Sequence, residues 1–198
     1  MKIRKLYRFE GGHIVRNCSS KRCKYSIHWH SYVVEVFFQA NSLDNGQMVY
    51  DFGLTKTTIK DIIDSFDHTY AYWNKESQEF RDFMHKHSER YISMPLSPSA
   101  EGLSLILLFL TRAIFKNTQK NNGESPDIDV VGVRVHETVT GWAESTIEDL
   151  ENPKMPQLKL EDIVFSDTIK EEWSDPDMYD KLIQGIPFIN PIVDQQIS

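Results

Sequence analysis

The stretch over residues 27–40, IHWHSYVVEVFFQA, constrains the fold of this chain more than any other segment. Most of its residues are β-branched or aromatic, and a run of this kind without glycine or proline predicts a long β-strand. Successive side chains of a strand alternate between its two faces, so His28 and His30 point the same way. Two neighbouring imidazoles can share one metal ion, although an H-x-H pair alone is more often an ordinary surface feature.

The patterns around this strand predict an α+β domain in which two helices cover one face of an antiparallel sheet. The clearest helix spans residues 99–116, because Pro98 precedes it, Ser99 suits an N-cap and Glu101 lies in the first turn. The other predicted elements are strands over residues 2–9, 48–52 and 128–137, helices over residues 54–66 and 76–87, an interruption at Gly11-Gly12, a loop over residues 17–26 and a hairpin turn at residues 44–46.

Two arrangements of metal ligands are compatible with these residues. His13 follows the first strand and could join His28 and His30, which would leave the fourth position of a zinc ion open, as in catalytic sites. Alternatively, Cys18 and Cys23 complete the pattern C-x4-C-x4-H-x-H, which offers four ligands for a closed structural zinc site. The spacing of the residues alone favours neither arrangement.

Three further features could carry chemistry. Asp67-His68 follows a predicted helix, and an acid beside a histidine can orient the imidazole for proton transfer. Glu137 ends the last predicted strand, where a carboxylate could bind the N–H groups of a heterocycle. Cys23 is flanked by three basic residues, which favour the thiolate form. Each feature, taken alone, is more often an ordinary surface group.

Charged residues are unevenly distributed along the chain. The formal net charge is −7 at pH 7. Residues 150–198 hold ten acidic residues and four lysines, so this segment carries most of the excess. We therefore expect a catalytic domain over residues 1–148 and an acidic, proline-containing extension over residues 149–198. We expect this extension to be an extended wrap or a partner-binding arm that contains short helices. An acidic chain is a poor non-specific binder of nucleic acid, so we expect no nucleic-acid partner.

The apolar pattern also indicates where the chain resides. The longest apolar stretch, residues 103–109, is far shorter than the roughly 20 residues that cross a bilayer. The basic residues near the N-terminus have no long apolar run behind them, as a signal peptide would. We expect a cytoplasmic protein without membrane contact, in which a disulfide between Cys18 and Cys23 is not favoured.

Six short segments, in chain order, resemble the 6-pyruvoyl/6-carboxytetrahydropterin synthase family, and the resemblance extends over roughly residues 3–146. FEGGH at residues 9–13 resembles the family's F-x-A-x-H segment. Cys23 followed by HWHSY at residues 28–32 resembles the catalytic cysteine and H-G-H-[NS]-[YF]. The other matching segments are MVYDF at 48–52, FDHTY at 66–70, PSAEGL at 98–103 and VRVHET at 133–138.

The resemblance implies a tunnelling fold (T-fold), in which oligomerisation joins the sheets of several subunits into a barrel. The family is usually a homohexamer with its sites at subunit interfaces. The site residues that the resemblance implies are, for Zn²⁺, His13, His28 and His30; for catalysis, Cys23, Asp67 and His68; and for binding the pterin ring, Glu137.

The implied activity is that of a zinc-dependent lyase. Its substrate would be 7,8-dihydroneopterin triphosphate, and its products would be 6-carboxy-5,6,7,8-tetrahydropterin, acetaldehyde and triphosphate, for deazapurine and queuosine synthesis. One alternative is a 6-pyruvoyltetrahydropterin synthase that acts on the same substrate. Another is an inactive, zinc-stabilised interaction protein that binds a partner through its acidic extension.

Two departures from the family pattern bear on these alternatives. Trp29 replaces the glycine of H-G-H, and on a strand its side chain should face away from the two histidines. Four residues separate Cys23 from His28, whereas the carboxytetrahydropterin enzymes have three and the pyruvoyl enzymes five. The spacing therefore does not decide between the two products.

Overall fold

The centre of the fold is a pair of long antiparallel strands, seen in a computed structural model that describes residues 1–192. Strand β1 spans Lys2–His13 and β2 spans His28–Gln39. They pair along their whole length, from Lys2 opposite Gln39 to His13 opposite His28. Alternate residues of β2, among them Val34, Val36 and Phe38, are fully buried, which accounts for the strand pattern in the sequence.

Five shorter strands extend this pair into a seven-stranded sheet with the order β7-β6-β2-β1-β3-β4-β8. The added strands are β3 (Thr69–Trp73), β4 (Tyr91–Met94), β6 (Asp129–His136), β7 (Trp142–Thr146) and β8 (Val164–Phe165). Within this sheet, only the β1–β3 and β3–β4 pairs are parallel. The predicted α+β fold with a mostly antiparallel sheet is therefore confirmed, whereas closure of the sheets into a barrel stays a prediction.

Helices α2 (Thr58–Asp64) and α4 (Ala100–Lys116) pack together in the main core with the inward side chains of the sheet. The α4 helix begins as predicted, because the Ser99 side chain accepts a hydrogen bond from the Gly102 backbone N–H at 3.2 Å. Helix α3 (Gln78–His87) packs in a second cluster with Tyr70 and Tyr72, which face the opposite side of β3 from the buried Ala71.

Short elements complete the fold. They are the helices α1 (Lys21–Tyr25), α5 (Ile147–Glu151), α6 (Asp167–Glu171) and α7 (Met178–Ile183), two 3-10 helices (Phe52–Lys56 and Leu160–Asp162), and the strands β5 (Thr118–Gln119) and β9 (Phe188–Ile189), which pair with each other. No helix within residues 1–192 is long and apolar enough to cross a membrane.

Several local predictions were wrong. Strand β1 is not interrupted at Gly11-Gly12 but continues to His13. Residues 48–52 form no returning strand, because β1 and β6 already occupy both edges of β2. The predicted loop over residues 17–26 contains α1, and the predicted helix over residues 54–66 divides into a 3-10 helix and α2.

The C-terminal extension packs onto the core of the sheet and helices. Its strand β8 pairs with β4, and Phe165 contacts Phe66 with ring centroids 6.5 Å apart. The Trp173 Nε1–H donates a buried hydrogen bond to the Ser65 hydroxyl at 2.8 Å. The expected short helices are present as α5, α6 and α7. The assignment of catalysis to residues 1–148 stays a prediction.

Candidate metal centre

Three histidines converge at one end of the central strand pair. His13 is the last residue of β1 and lies opposite His28, the first residue of β2, while His30 follows on the same face of β2. The Nε2 atoms of His13 and His28 are 3.0 Å apart, and one ring nitrogen from each of the three histidines lies within 4.8 Å of the others. The register of a single hairpin thus brings together the three predicted ligands, which could hold a metal ion.

Hydrogen bonds to backbone carbonyls orient two of these rings. His13 donates from Nδ1 to the carbonyl of Pro98, just before α4, and His28 donates from Nδ1 to the carbonyl of Ser26 at 2.9 Å. A proton on Nδ1 leaves the lone pair of Nε2 free to bind a metal, an arrangement typical of histidine ligands. The Pro98 contact also ties α4 to the site.

The ring of His30 supplies an independent test of whether the site suits a cation. Nε2 of His30 is buried and has no hydrogen-bond partner within the described chain. A buried polar atom without a partner carries a free-energy cost, which a bound metal ion would remove. The three imidazoles therefore fit the kind of ion that nitrogen ligands prefer, such as zinc.

The charge state of the histidines also suits metal binding. Burial lowers the pKa of His13 to about 4, against the hydrogen bond to Pro98, and the nearby His28 and His30 lower it further. Burial also lowers the pKa of His30, although the carboxylate of Glu137 opposes this shift. His13 and His30 are thus neutral at pH 7, the form in which imidazole binds a metal.

Two further side chains border the three histidines. Glu137 directly follows β6, and its Oε1 lies 3.7 Å from Nε2 of His13 and 3.9 Å from Nε2 of His30. The buried Tyr32 has its hydroxyl 3.2 Å from Nδ1 of His13, and burial raises its pKa well above the ordinary range. Tyr32 was not predicted as a site residue, although the i, i+2, i+4 spacing of His28, His30 and Tyr32 places all three on one face.

The predicted Asp67–His68 pair forms in the turn before β3. The Asp67 carboxylate accepts hydrogen bonds from the Glu10 backbone N–H at 2.7 Å and from Nδ1 of His68 at 3.0 Å. Burial acts to raise the pKa of Asp67, but these hydrogen bonds and the charges of His68 and Arg90 outweigh it and lower the pKa. His68 has a positive φ of 50° and a side chain that is 76% exposed, so its imidazole is oriented by Asp67 and open to solvent.

Neither cysteine belongs to the histidine centre. Within residues 1–192, His13, His28 and His30 form the only cluster of three or more potential metal ligands, which disfavours the four-ligand arrangement with Cys18 and Cys23. Both thiols are free and partly buried. Cys23 lies in α1, and its carbonyl accepts a hydrogen bond from the Val15 N–H at 3.0 Å, two residues beyond His13.

Trp29 lies on the face of β2 opposite the histidines, as its place in the strand predicts. Trp29 is 53% exposed, and it pairs with Gly12 in the register of β1 and β2. A Cβ atom at position 12 would come within 2.7 to 2.9 Å of three atoms of the indole ring. Gly12 therefore allows the indole to lie against β1, one residue pair away from His13 and His28.

The sequence and the structure each resemble known proteins. The sequence model of the family described as 6-pyruvoyl tetrahydropterin synthase matches residues 2–148. Two proteins named 6-carboxy-5,6,7,8-tetrahydropterin synthase, from Helicobacter pylori strains J99 and 26695, are each 44% identical over 184 residues, which cover 92% of this chain and 92% of each relative. A protein of the same name from Aquifex aeolicus is 28% identical and covers 72% of this chain and 95% of its own.

Two solved structures share the fold. The crystal structure of an uncharacterized protein from Wolinella succinogenes has a TM-score of 0.60 at 20% identity and covers 75% of this chain and 98% of that chain. The 6-pyruvoyl tetrahydropterin synthase of Caenorhabditis elegans has a TM-score of 0.51 at 16% identity and covers 74% of this chain and 94% of that chain.

Proposed function

Because the chain belongs to the 6-pyruvoyl tetrahydropterin synthase family, we propose that it is a zinc-dependent lyase acting on 7,8-dihydroneopterin triphosphate. With the uptake of one water molecule, the proposed products are 6-carboxy-5,6,7,8-tetrahydropterin, acetaldehyde and triphosphate, as in deazapurine and queuosine synthesis. The convergence of His13, His28 and His30 carries this proposal, because it provides a three-nitrogen centre of the kind used by catalytic zinc. The two Helicobacter pylori relatives support the carboxy product.

In this proposal His13, His28 and His30 hold the metal ion. A bound zinc ion would supply Lewis-acid chemistry to oxygen atoms of the substrate side chain. The carbonyls of Pro98 and Ser26 keep Nε2 of His13 and His28 directed inward. These contacts make the centre rigid before substrate arrives, which limits the reorganisation needed during the reaction.

Proton transfer is assigned to Cys23, Asp67 and His68. Cys23, as thiolate, would remove a proton from a carbon of the substrate side chain. His68 would relay that proton, with Asp67 holding the Nδ1–H so that Nε2 can exchange protons with the substrate. Glu137 would accept hydrogen bonds from the N–H groups of the pterin ring.

The exposure of His68 suggests how this site is completed. Its side chain hydrogen-bonds to Asp67 and is otherwise open to solvent. We propose that a second subunit covers this turn in a homo-oligomer, a hexamer as in the family, so that catalytic groups from two chains meet. An assembly of this kind needs no nucleic acid or membrane partner.

The second candidate is a 6-pyruvoyltetrahydropterin synthase on the same site. The position of Cys23 is the reason to retain this second candidate. Four residues separate Cys23 from His28, whereas the carboxy enzymes have three. The two candidates differ only in whether the two-carbon fragment is lost.

Product analysis by mass spectrometry, after incubation of the zinc-loaded protein with 7,8-dihydroneopterin triphosphate, tests the proposal. We expect 6-carboxytetrahydropterin and acetaldehyde. A 6-pyruvoyl product would establish the second candidate, and the absence of any turnover would contradict both.

A matched pair of cysteine variants tests the assignment of the thiolate. We expect Cys23→Ala to lower turnover by roughly 10²–10⁴-fold, with zinc content unchanged because neither cysteine belongs to the histidine centre. Cys18→Ala is the control and should keep turnover close to that of the unaltered protein. Loss of turnover in Cys18→Ala alone would show that the assignment is wrong.

A further inference from the structure

The segment that carries Cys23 makes little use of the hydrophobic core. Helix α1 has five residues, none of them buried, and its N-cap residue Ser20 makes no side-chain hydrogen bond to the helix. A segment with few buried apolar contacts opens at a low free-energy cost. The position of the thiol therefore depends on the hydrogen bonds that hold α1.

Two consecutive residues after β1 bind two consecutive carbonyls of α1. The Val15 backbone N–H donates to the Cys23 carbonyl at 3.0 Å, and Nη1 of Arg16 donates to the Lys24 carbonyl at 3.3 Å. Val15 lies only two residues after His13 of the metal centre. These two contacts thus connect the backbone of Cys23 to the end of the strand that carries a predicted metal ligand.

The guanidinium of Arg16 is also fixed on its other side. Its Nε donates to both carboxylate oxygens of Glu76, at 2.8 and 3.0 Å, and its Cζ lies 4.9 Å from the centroid of the Phe80 ring in α3. The Glu76 side chain is only 7% exposed, and its ion pair within residues 1–192 is with Arg16. A planar guanidinium can bind several acceptors and stack on an aromatic ring at the same time. Arg16 therefore links α1 to the turn after β3 and to α3.

We propose that Arg16 is a positioning residue for the reaction, because it holds the segment of Cys23 where the thiol can reach the substrate. The proposal rests on the thiolate that the proposed function assigns to Cys23. Arg16 would act through Cys23 rather than on the substrate itself. Its loss should therefore lower the rate of the chemical step, since a displacement of about 1 Å can cost roughly 100-fold in rate.

Steady-state kinetics of Arg16→Lys tests this proposal. Lysine keeps the positive charge beside Glu76, but it lacks the planar fork and cannot bind Glu76, the Lys24 carbonyl and Phe80 together. We expect kcat for 7,8-dihydroneopterin triphosphate to fall by roughly 10–100-fold. KM and zinc content should stay close to those of the unaltered protein.

Arg81→Lys is the matched control. Arg81 lies in α3 and donates to the Asn74 carbonyl, in the same turn after β3, and to the Gln78 side chain instead of α1. Its substitution should leave kcat unchanged. A kcat that falls equally in Arg81→Lys and Arg16→Lys would show a general effect on this region and overturn the proposal.

Two further measurements distinguish positioning from a merely structural role. In a Cys23→Ala background, Arg16→Lys should lower the residual turnover little further, because both substitutions act through the same thiol. Without substrate, hydrogen exchange followed by mass spectrometry should show faster exchange over residues 20–26 in Arg16→Lys, and unchanged exchange there in Arg81→Lys. Unchanged exchange over residues 20–26 in Arg16→Lys would contradict the proposed contact.

The outcomes separate this proposal from the proposed function. If Cys23→Ala alone keeps full turnover, the thiolate assignment is wrong and the proposal falls with it. If Cys23→Ala loses turnover but Arg16→Lys keeps its kcat, or lowers turnover by the same factor in both backgrounds, only this proposal is overturned. Should Arg16→Lys fail to fold, Glu76→Gln weakens the hold on the guanidinium without leaving a buried charge unpaired, and an unchanged kcat there would again contradict the proposal.

Discussion

The pairing of Gly12 with Trp29 makes a quantitative prediction about the strand that carries His13. The structure leaves no room for a side chain at position 12, because an added Cβ would lie 2.7 to 2.9 Å from three atoms of the Trp29 ring. Real Cβ contacts essentially never fall below 3.0 Å, so Gly12→Ala must displace either the indole or the backbone of β1. The displacement would occur one residue pair away from His13 and His28.

Two opposing effects set the magnitude. Overpacking costs about 1–3 kcal/mol, and alanine in a strand is more favourable than glycine by roughly 0.5–1 kcal/mol. Gly12→Ala should therefore lower the free energy of unfolding by up to about 2.5 kcal/mol. In a Trp29→Ala background the clash is absent, so the same substitution should be neutral or stabilising.

The assay is a double-mutant cycle of Gly12→Ala and Trp29→Ala, measured by urea denaturation. A chelator is present throughout, so that metal binding does not contribute to the measured stability. We expect a coupling free energy of about 1–3 kcal/mol between the two positions. If the effects of the two substitutions add within about 0.5 kcal/mol, the inferred contact between position 12 and the indole is wrong.

Two further predictions concern stability. Trp173→Phe removes the hydrogen bond to the Ser65 hydroxyl, which keeps its bond to the Asp61 carbonyl, and should lower the free energy of unfolding by about 0.5–1.5 kcal/mol, measured in urea; an unchanged value would contradict a buried bond there. Burial acts to raise the pKa of Glu35, but hydrogen bonds from His136 and Arg4 outweigh it and lower the pKa. This carboxylate therefore contributes stability that is present above about pH 4.3, the ordinary glutamate pKa, and lost as the pH falls further. Glu35→Gln should flatten the acid side of the stability–pH curve, and a curve as steep as that of the unaltered protein would contradict this.

The elements that the sequence predicted correctly are those with strong local patterns. Strand β2 was predicted because β-branched and aromatic residues fill it, and β6 because its apolar residues alternate. Helix α4 was predicted with its N-cap, since Ser99 and the preceding Pro98 determine its start locally. None of these predictions required knowledge of a distant contact.

The errors occur where a distant contact determines the local conformation. Gly11-Gly12 resembles an interruption, but both glycines pair with β2, opposite His30 and Trp29, and so continue β1. Residues 48–52 have strand-forming residues, yet no edge of β2 is free to pair with them. Strand β4 was missed because it is short and its partners β3 and β8 are remote in the chain. Strand β7 is an exception, because it was missed although it pairs with β6 directly before it in the chain.

In the candidate site, too, some contacts depend on local patterns and others on distant contacts. Strand alternation and the pairing of two consecutive strands predicted the cluster of His13, His28 and His30 as one of two arrangements, and only the resemblance to the family favoured it over the arrangement with Cys18 and Cys23. The approach of Glu137 depends on the register between β6 and β2, which are separated by about half of the chain. The contact of His13 with the carbonyl of Pro98 depends on how α4 packs on the sheet, which no sequence pattern describes.

The C-terminal extension bears on the proposed chemistry through the turn that carries Asp67 and His68. The family model ends at residue 148, whereas the match to the Helicobacter pylori relatives spans 184 residues. The match to these relatives therefore continues into the extension. Arg90 donates from Nε to the carbonyl of Asp67 at 3.1 Å, and Glu172 in the extension forms an ion pair with the same guanidinium.

Two more contacts reach the residues directly before that turn. Trp173 hydrogen-bonds to Ser65, and Phe165 packs on Phe66. His68 has a positive φ, a conformation that a residue other than glycine keeps only when its surroundings hold it. The extension thus supplies part of the packing that holds this conformation, although it lies outside the region that the family model matches. Its acidic composition alone gave no indication of these contacts, because aromatic side chains make two of them and only the ion pair of Glu172 with Arg90 uses an acidic group.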